Sequence, residues 1–300
     1  MMLKKTTIAW ICLLLTNLFW ASNAVMARFI SEDIPPFFLA FWRWLLAFIL
    51  LLPFAWPYLR GQRAEIQRRW PVIFILGLLG ISIYNTILYL SAHFTTAVNM
   101  TLVGSSLPLI VLLFSWQWLQ EYPNRWQLLG IAASLIGVII IISKGQVSNL
   151  LNLHFNLGDL MVFGIVCCWA IYSVILRKYP IRLHPTATLT LVIAAGLPLL
   201  LLLLIIERHY VTTLSFDWQT LLVILYAAIF PSILSYLFWD IGVKELGPNI
   251  ASMSVYLMPL ITAIIAVPLL SEKLWWHHYL GALLILVGLY FGVLFKEKRR

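Results

Sequence analysis

Ten long apolar stretches follow one another along this chain, and each has the ~20 residues that a membrane-crossing helix requires. They are too long and too continuous for barrel strands, whose apolar and polar residues alternate over ~10 residues. Hydrophobic residues make up 62% of the chain and charged residues 10%, whereas soluble domains have about 45–50% and about 25%. We therefore predict an all-α integral membrane protein. The predicted spans are 8–28, 36–56, 71–91, 97–119, 126–143, 159–177, 186–206, 218–239, 249–270 and 277–295.

The net charge of +9 lies in the connections rather than in the spans. With the N-terminus in the cytosol, 15 of the 20 lysines and arginines fall in cytosolic segments and 4 in external ones, and Arg43 alone lies within a span. Short cytosolic loops of membrane proteins carry such an excess of positive charge. We expect a multi-pass protein with both termini cytoplasmic, whose basic residues face the lipid bilayer and not nucleic acid.

The cysteines and histidines give no sign of a metal or cofactor site. Cys12, Cys167 and Cys168 lie within predicted spans without metal-type spacing, and the six histidines lie in loops or at span edges. Residues 1–24 resemble a signal peptide, but the same stretch has a counterpart in mid-chain, which favours a retained first span. No metal ion and no cofactor are expected.

The chain spells a similar helix twice, half its length apart. "FWASNAVMAR" at 19–28 returns in "CWAIYSVILRK" at 168–178, which aligns Trp20 with Trp169 and Arg28 with Arg177 at an offset of 149. The correspondence continues towards the C-terminus with an offset that drifts by only two residues. Further matched pairs are Ser82 with Ser232, Asn85 with Ser235, Tyr89 with Trp239, Pro108 with Pro259, and Glu121 with Glu272.

Each half contains five predicted spans, and this odd number requires the second half to lie upside down relative to the first. We therefore predict ten transmembrane helices as two inverted five-helix repeats, divided into residues 1–148 and 149–300. Inverted repeats are typical of secondary transporters, whose substrate sites lie near the bilayer midplane between the halves.

Several motifs along the chain are those of a known transporter family. They are "FWASNAVMAR" (19–28), "FWRW" (41–44), "ILYLSAHFTTAVNMTLVGSSLPLI" (87–110) and the paired "LQEYPNRWQLLGIAASLIGV" (119–138) and "LSEKLWWHHYLGALLILVGL" (270–289). With them the sequence resembles the EamA-type branch of the drug/metabolite transporter (DMT) superfamily over essentially its whole length. The resemblance implies a carrier of small metabolites in the bacterial inner membrane, often an exporter of amino acids or related compounds, and it names no substrate.

Pro108 and Pro259 fall in the middle of matching spans. A proline inside a helix removes one backbone hydrogen bond and releases the carbonyl four residues earlier, here those of Gly104 and Val255. A released carbonyl at membrane depth needs protein or a watery cavity to satisfy it, and paired interruptions of this kind point to a transporter site. The alternative is a structural kink held by packing. The polar neighbours predicted to line the same site are Ser105 and Tyr256.

Spans three and eight each carry polar or aromatic residues at the spacing i, i+3, i+7, which places them on one helix face. Such a stripe lines a cavity or hydrogen-bonds another helix. Trp20 and Trp169 lie deeper than the interfacial tryptophans, and they stack on a planar substrate or pack in the core. The predicted substrate-binding residues, taken together, are Trp20, Asn23, Arg43, Ser82, Asn85, Tyr89, Ser105, Trp169, Tyr172, Ser235, Trp239 and Tyr256.

Arg43 is the one charged residue well inside a predicted span. It lies eight residues after Pro35, or ~12 Å into the apolar layer. A central arginine costs ~2.5–3.5 kcal/mol on insertion scales, and snorkelling towards the interface would lower this cost. Arg43 therefore pairs with a substrate carboxylate or with carbonyls near the broken helix, or it is a snorkelled anchor.

All eleven carboxylates lie in loops or near the ends of predicted spans. Proton-driven carriers usually keep an acid or a histidine within the membrane as a relay, and the sequence indicates none. Facilitated movement, exchange and coupling through a residue at a span end, such as Asp240, are all left open. Glu121 and Glu272 are expected to cap the following helix turns or to latch a gate.

These patterns predict a secondary transporter, an exporter of small metabolites such as amino acids or related compounds, that works by alternating access and is not an enzyme. Its expected partners are a small-molecule substrate and the lipid bilayer. Glycines such as Gly130 and Gly288 let helices approach closely and leave a homodimer open. The alternatives are an importer of sugars or nucleotide-linked metabolites and a non-transporting membrane sensor or assembly subunit.

Overall fold

The described part of the chain is helical and contains no strand. The computed structural model describes residues 2–30, 33–95, 97–142, 146, 157–210, 217–270 and 276–294. In chain order the α-helices are α1 (Met2–Phe29), α2 (Pro36–Leu59), α3 (Arg63–Leu76), α4 (Tyr84–Ser91), α5 (Ala97–Gly104), α6 (Leu107–Leu119), α7 (Arg125–Ile142), α8 (Leu157–Lys178), α9 (Pro185–Tyr210), α10 (Trp218–Ala228), α11 (Ser235–Leu246), α12 (Pro248–Met253), α13 (Met258–Leu270) and α14 (Trp276–Leu294).

Seven helical runs within the described residues are long and apolar enough to cross a membrane. They confirm the prediction of a multi-pass, all-α membrane protein. Two further apolar helices are shorter, Leu107–Leu119 and Tyr279–Gly288, so the count of ten spans stays a prediction. The seven long runs are Lys5–Phe29, Pro36–Leu59, Arg63–Ser91, Leu157–Lys178, Pro185–Glu207, Trp218–Leu246 and Pro248–Ile265.

The run Trp218–Leu246 extends beyond the span predicted from the sequence, which ends at residue 239. Its last two turns are amphipathic, because Lys244 and Glu245 are exposed whereas Asp240 is buried. Asp240 therefore lies inside a helix and is only 3% exposed. Asp240 lies six residues before the end of the run, so the predicted boundary at 239 is about two helical turns too early. Polar residues on the other helix face hid the true boundary.

Two π-helical segments, Gly77–Ile83 and Ile229–Leu234, interrupt the third and eighth predicted spans at equivalent positions. Such segments have i→i+5 hydrogen bonds and occur frequently at functional sites. Polar side chains in or just after these segments bond to backbone carbonyls five residues earlier in the chain. These bonds run from Asn85 Nδ2 to Gly80 O (2.8 Å), from Ser232 Oγ to Ala227 O (2.7 Å) and from Ser235 Oγ to Phe230 O (2.9 Å).

Matching interruptions also occur ahead of the two prolines. In the first half, α5 ends at Gly104 and α6 begins at Leu107, with Pro108 in its first turn. A proline is tolerated there because the first N–H groups of a helix have no partner within it. In the second half, a 3₁₀ segment, Ser254–Leu257, precedes α13, in which Pro259 is the second residue.

The contacts between helices keep the same pattern when the two halves are exchanged. Helix α1 packs on α11 and on α13, and its equivalent α8 packs on α4 and on α6. Helices α2 and α9 pack on each other, as do α7 and α14. This pattern is expected of a bundle built from two similar halves, with α1, α4, α8 and α11 near its centre.

Contacts between helix ends define one side of the molecule, which we call the Phe29 side because α1 ends there. Thr95 Oγ1 donates to Asp159 Oδ1 at 2.7 Å, which joins the end of α4 to the start of α8. The Glu207 carboxylate, at the end of α9, accepts hydrogen bonds from the first N–H groups of α2 at 3.0 and 2.6 Å. These N–H groups need such a partner, since Pro35 provides no side-chain cap.

Other contacts define the opposite side, which we call the Lys178 side because α8 ends there. The rings of Tyr58 and His184 stack at 3.9 Å, which joins the end of α2 to the segment before α9. Asn249 Nδ2 donates to Glu121 Oε2 at 3.3 Å, which joins α12 to the segment after α6. Glu121 thus contacts the other half of the chain.

The equivalent helices α1 and α8 run in opposite directions between these two sides. At the Phe29 side, Arg28 Nη1 donates to the carbonyl of Ala92 at 2.9 Å. At the Lys178 side, Arg177 Nη1 donates to the carbonyl of Lys244 at 2.8 Å. The two arginines that the sequence repeat aligns therefore make the same kind of contact on opposite sides. Glu272, the match of Glu121, lies outside the described residues.

Helices α7 and α14 pack closely around Gly288. A Cβ atom added to Gly288 would lie 2.1 Å from Ser134 Oγ and 2.4 Å from the carbonyl oxygen of Gly130. A real Cβ atom cannot occupy that space, so glycine is required by the close approach of the two helices. These glycines are used within the chain, and the homodimer stays a prediction.

Candidate substrate-binding site

A cavity lies inside the bundle, towards the Phe29 side. Its lining residues in α1 and α8, such as Trp20 and Val162, lie in the part of each helix nearest that side. Water-sized molecules can occupy about 50 Å³ of it, which is a few times the ~10–15 Å³ that one water needs. The polar and aromatic lining residues are Trp20, Asn23, Arg43, Tyr84, Asn85, Thr101, Trp169 and Tyr236.

Five aromatic side chains, which we call the aromatic cluster, separate the cavity from the Lys178 side. Trp20 and Trp169 meet edge to face at 5.0 Å, and Trp169 stacks on Tyr172 at 4.6 Å. Tyr236 lies 5.0 Å from Trp169, and Trp239 lies 5.2 Å from Trp20. Tyr172 and Trp239 are 2% and 0% exposed, so the bundle is closed between the cavity and the Lys178 side.

Arg43 is buried at the cavity wall, with 1% of its surface exposed. Its Nε donates to Ser232 Oγ at 2.9 Å, and its Nη1 donates to the Tyr89 hydroxyl. The guanidinium carbon lies 5.2 Å from the ring of Trp44, within the range of a cation–π interaction. No carboxylate of the described residues pairs with Arg43. A buried cation without a counter-ion favours an anionic ligand.

The hydrogen bonds behind Arg43 fix which groups face the cavity. Because the Tyr89 oxygen accepts from Arg43, its own hydrogen is donated to Asn23 Oδ1 at 3.0 Å. Asn23 therefore accepts through its oxygen, and its amide nitrogen has no partner among the described residues. The Asn23 N–H groups and the remaining guanidinium N–H groups form a donor end of the cavity, suited to a carboxylate.

Asn85 presents a hydrogen-bond acceptor to the cavity, whereas Arg43 and Asn23 present donors. Its Nδ2 donates to the carbonyls of Gly80 and Ile81 at 2.8 and 3.0 Å, within the first π-helical segment. The Tyr236 hydroxyl also donates to the Gly80 carbonyl. The Asn85 Oδ1 atom has no partner among the described residues, so it forms an acceptor end of the cavity, suited to an amine or a hydroxyl group.

The structure brings some of the predicted site residues to the cavity and keeps others away from it. Those that line it are Trp20, Asn23, Arg43, Asn85, Trp169, Gly104 and Val255. Those that do not are Ser82, Tyr89, Ser105, Tyr172, Ser235, Trp239, Tyr256, Pro108 and Pro259. Tyr89 lies behind Arg43, while Tyr172 and Trp239 belong to the aromatic cluster.

The serines that do not line the cavity bond to backbone carbonyls instead. Ser82 Oγ donates to the carbonyl of Gly196 in α9 at 2.7 Å, and Ser105 Oγ donates to the carbonyl of Thr101 at 2.9 Å. Serine hydroxyls in helices often take such local partners. Tyr256 is fully buried, and its hydroxyl has no partner among the described residues.

Three polar lining residues are not among those predicted from the sequence: Tyr84, Thr101 and Tyr236. Tyr236 is the most central of them, since its ring lies 4.9 Å from Trp44 and 5.0 Å from Trp169. The sequence carries one signal that points to it, because Tyr236 lies one helical turn after Ser232, on the same face. Its contacts with α2 and α8 depend on how distant helices meet, which periodicity does not reveal.

On the Phe29 side, the carboxylates of Glu207 and Asp159 both have hydrogen-bond partners. Asp240, towards the Lys178 side, differs from them. Glu207 accepts from the start of α2 and Asp159 accepts from Thr95, as described above. Asp217, outside the spans, accepts from the Thr220 N–H at 2.8 Å as the cap of α10. That hydrogen bond lowers the pKa of the Asp217 carboxyl below its ordinary value. The Asp240 Oδ1 atom is buried without a hydrogen-bond partner in the described part of the chain.

Within the described ranges, no group of three or more histidine, cysteine, aspartate or glutamate side chains is placed to hold a metal ion. The cavity wall itself carries one cation, amide groups, hydroxyls and aromatic rings. These groups bind ligands by hydrogen bonds, charge and stacking. The fold is that of a multi-pass helical membrane protein with a polar cavity between its helices, the arrangement found in membrane transporters.

The chain belongs to the EamA-like transporter family. The family model matches it twice, over residues 7–143 and 156–294, and so covers both halves found in the sequence repeat. This confirms the family predicted from the motifs. The family identifies the chain as a membrane transporter, but it specifies neither the substrate nor the direction of transport.

Relatives of similar length support the same class. An uncharacterized transporter of Bacillus subtilis (strain 168), YyaM, is 26% identical over 93% of this chain and 91% of its own length. An uncharacterized transporter of Archaeoglobus fulgidus is 28% identical over 93% of this chain and 94% of its own length. One solved crystal structure shares the fold, with a TM-score of 0.73, 19% identity and coverage of 97% and 96% of the two chains.

Proposed function

We propose that this protein is a secondary transporter that exports small metabolites, amino acids or closely related compounds, across the bacterial inner membrane by alternating access. In this proposal ten transmembrane helices form two inverted five-helix repeats, and both termini are cytoplasmic. The Phe29 side then faces outwards and the Lys178 side faces the cytosol. The excess of basic residues in the connections of the Lys178 side supports this orientation.

One observation carries the proposed substrate class: the cavity has a donor end at Arg43 and Asn23 and an acceptor end at Asn85. A carboxylate fits the donor end, where it would also supply the counter-ion that Arg43 lacks. The ammonium group of an amino acid, or the hydroxyl group of a hydroxy acid, fits the amide oxygen of Asn85. The rings of Trp20 and Trp169 would contact the side chain or, as faces of negative charge, the ammonium group.

The same wall argues against sugar phosphates and nucleotide-linked substrates. Arg43 is the one cationic side chain among the lining residues of the cavity. A phosphate at physiological pH carries up to two charges and is usually bound by several positive groups. The amino acid class therefore agrees better with the charge of the site.

The proposal is tested by counterflow in liposomes, using labelled amino acids, hydroxy acids, sugars and nucleosides. For the best amino acid, we would then compare competition by its carboxamide, which lacks the carboxylate, and by its deaminated acid, which lacks the ammonium group. Each analogue should compete about tenfold less well or worse, because each leaves one end of the cavity unpaired. Equal competition by the carboxamide would contradict carboxylate binding at Arg43.

Substitutions of Arg43 test whether this residue binds the carboxylate of the substrate. Arg43→Gln should abolish counterflow, and Arg43→Lys should retain little, because lysine cannot bond Ser232 and Tyr89 while facing the cavity. The matched control is Arg60→Gln, which removes an exposed arginine at the end of α2. Movement of a sugar or nucleoside, but of no amino acid, would reject the proposed substrate class.

A further inference from the structure

We propose that Asp240 is a proton-binding site, and that closing the Lys178 side of the transporter takes up one proton there. The proposal goes beyond the proposed function, and it rests on that function only for its consequence on transport. Proton binding itself depends on the burial of one carboxyl group and on the neighbours of that group.

Asp240 lies on the far side of the aromatic cluster from the cavity. It follows Trp239, whose Nε1 donates to Ser173 Oγ of α8 at 3.2 Å. Asp240 and Tyr172 are 3% and 2% exposed. The Asp240 Oδ1 atom has no hydrogen-bond partner in the described part of the chain. The closed conformation thus removes Oδ1 of this carboxyl from water without replacing its hydrogen bonds.

The charged neighbours of Asp240 are few. Lys244 lies one turn further along α11, and it makes no ion pair with Asp240 in the described part of the chain. Lys244 is exposed, so water screens its effect. Arg177 of α8 donates to the Lys244 carbonyl. The helices that pack on α11 are α1, α8, α9 and α12. Their charged and histidine residues lie near helix ends, and α12 has none; they are Lys4, Lys5, Arg28, Asp159, Arg177, Lys178, Glu207, Arg208 and His209.

These surroundings link protonation to conformation. A buried carboxyl without partners is far more stable when neutral than when charged. If the Lys178 side opens, water reaches the group and the charged form becomes stable. By linkage, the open-to-closed ratio of that side rises with pH, by about tenfold per pH unit at most for one proton. Acid on the Lys178 side therefore favours the closed conformation described here.

The test is the reactivity of a cysteine placed just inside the closed side. Leu176 of α8 is 5% exposed on the Lys178 side, and Tyr179, three residues later, is 42% exposed. Leu176→Cys and Tyr179→Cys are made separately in a chain without its three native cysteines. A membrane-impermeant maleimide is applied from the Lys178 side over a range of pH. The ratio of the two labelling rates cancels the effect of pH on the thiol chemistry.

The labelling rate of Leu176→Cys divided by that of Tyr179→Cys should rise with pH in the otherwise unchanged chain. In Asp240→Asn it should stay low at every pH, because the neutral amide mimics the protonated acid. Glu245→Gln is the matched control, since Glu245 is an exposed acid on the same helix, and it should keep the pH dependence. Asp240→Glu should also keep it, because a titratable group is retained.

A ratio that does not change with pH in the unchanged chain would overturn the proposal, as would a full pH dependence in Asp240→Asn. Should Asp240→Asn fail to fold, the unchanged chain and Glu245→Gln still decide, because both must respond to pH. Labelling needs no substrate. A failure of the whole amino acid panel would therefore reject the proposed function without affecting this result.

Discussion

A single buried guanidinium determines the chemistry of the cavity. Arg43 is held from behind by Ser232, Tyr89 and Trp44, which come from three different predicted spans. This support keeps the charge at membrane depth instead of letting it snorkel. The alternative that Arg43 is an interfacial anchor is therefore poorly supported by its surroundings, since a snorkelled side chain would be exposed near a helix end.

The bridge through Tyr89 gives a prediction at this scale. Tyr89→Phe removes the hydroxyl that accepts from Arg43 and donates to Asn23, so both donor groups lose their fixed orientation. Hydrogen bonds to charged groups contribute about 1.5–3 kcal/mol, and the apparent affinity for the best amino acid should fall about tenfold or more. Affinity is measured by competition in the counterflow assay.

The control for this substitution is Tyr226→Phe, which removes a hydroxyl that bonds to Ser22 Oγ outside the cavity. It should leave the affinity unchanged. Loss of affinity in both variants to the same degree would show that the effect comes from general destabilisation and not from the Arg43 bridge.

The sequence predicts only some of the polar residues that line the cavity. Arg43 and Asn85 stand out because a charge or an amide is rare at membrane depth, and both line the cavity. Ser82 has the same polar signature, but its hydroxyl bonds to Gly196 of another helix. A polar residue in a span can satisfy a carbonyl or face a cavity, and the pattern alone does not separate these two roles.

At the scale of elements, the paired interruptions are placed where the halves meet. The π-helical segments, Gly77–Ile83 and Ile229–Leu234, direct the following residues, Asn85 and Tyr236, towards the cavity. A π-turn adds a residue to one helical turn and changes which face the next turn presents. The sequence gives no warning of these segments, because their polar residues keep the usual helical spacing.

Close packing of α7 on α14 gives a prediction for an element pair. Gly288→Ala should lower the free energy of unfolding by about 1–3 kcal/mol, because its Cβ atom would overlap Ser134 Oγ and the Gly130 carbonyl. Gly164→Ala is the control, since a Cβ atom there meets nothing within 4 Å. Thermal unfolding of the purified protein in detergent measures both. Equal melting temperatures would contradict the described contact between α7 and α14.

Element boundaries were harder to predict than element positions. The apolar length of each span is visible in the sequence, but the helix that contains Asp240 continues for another seven residues after position 239, to Leu246. Its last turns are half polar, because one face lies at the surface while the other packs on α1 and α8. Hydropathy averages over the two faces and therefore ends the span too early.

On the scale of the whole molecule, contacts between the described helix ends distinguish two sides, and the proposed orientation makes the Phe29 side external. Gln219 at the start of α10 and Tyr179 after α8 are exposed on opposite sides. In a chain without native cysteines, Gln219→Cys should react with an impermeant maleimide in intact cells. Tyr179→Cys should react only in inside-out vesicles. The reverse pattern would mean that both termini face outwards.

The arginine contacts at the two ends of the bundle have a consequence for the energetics of the cycle. Arg28 and Arg177 come from aligned positions and hold a carbonyl on opposite sides, at 2.9 and 2.8 Å. If the proposed alternating access operates, opening either side has to release a contact of the same type, so this pair of contacts by itself favours neither open side over the other.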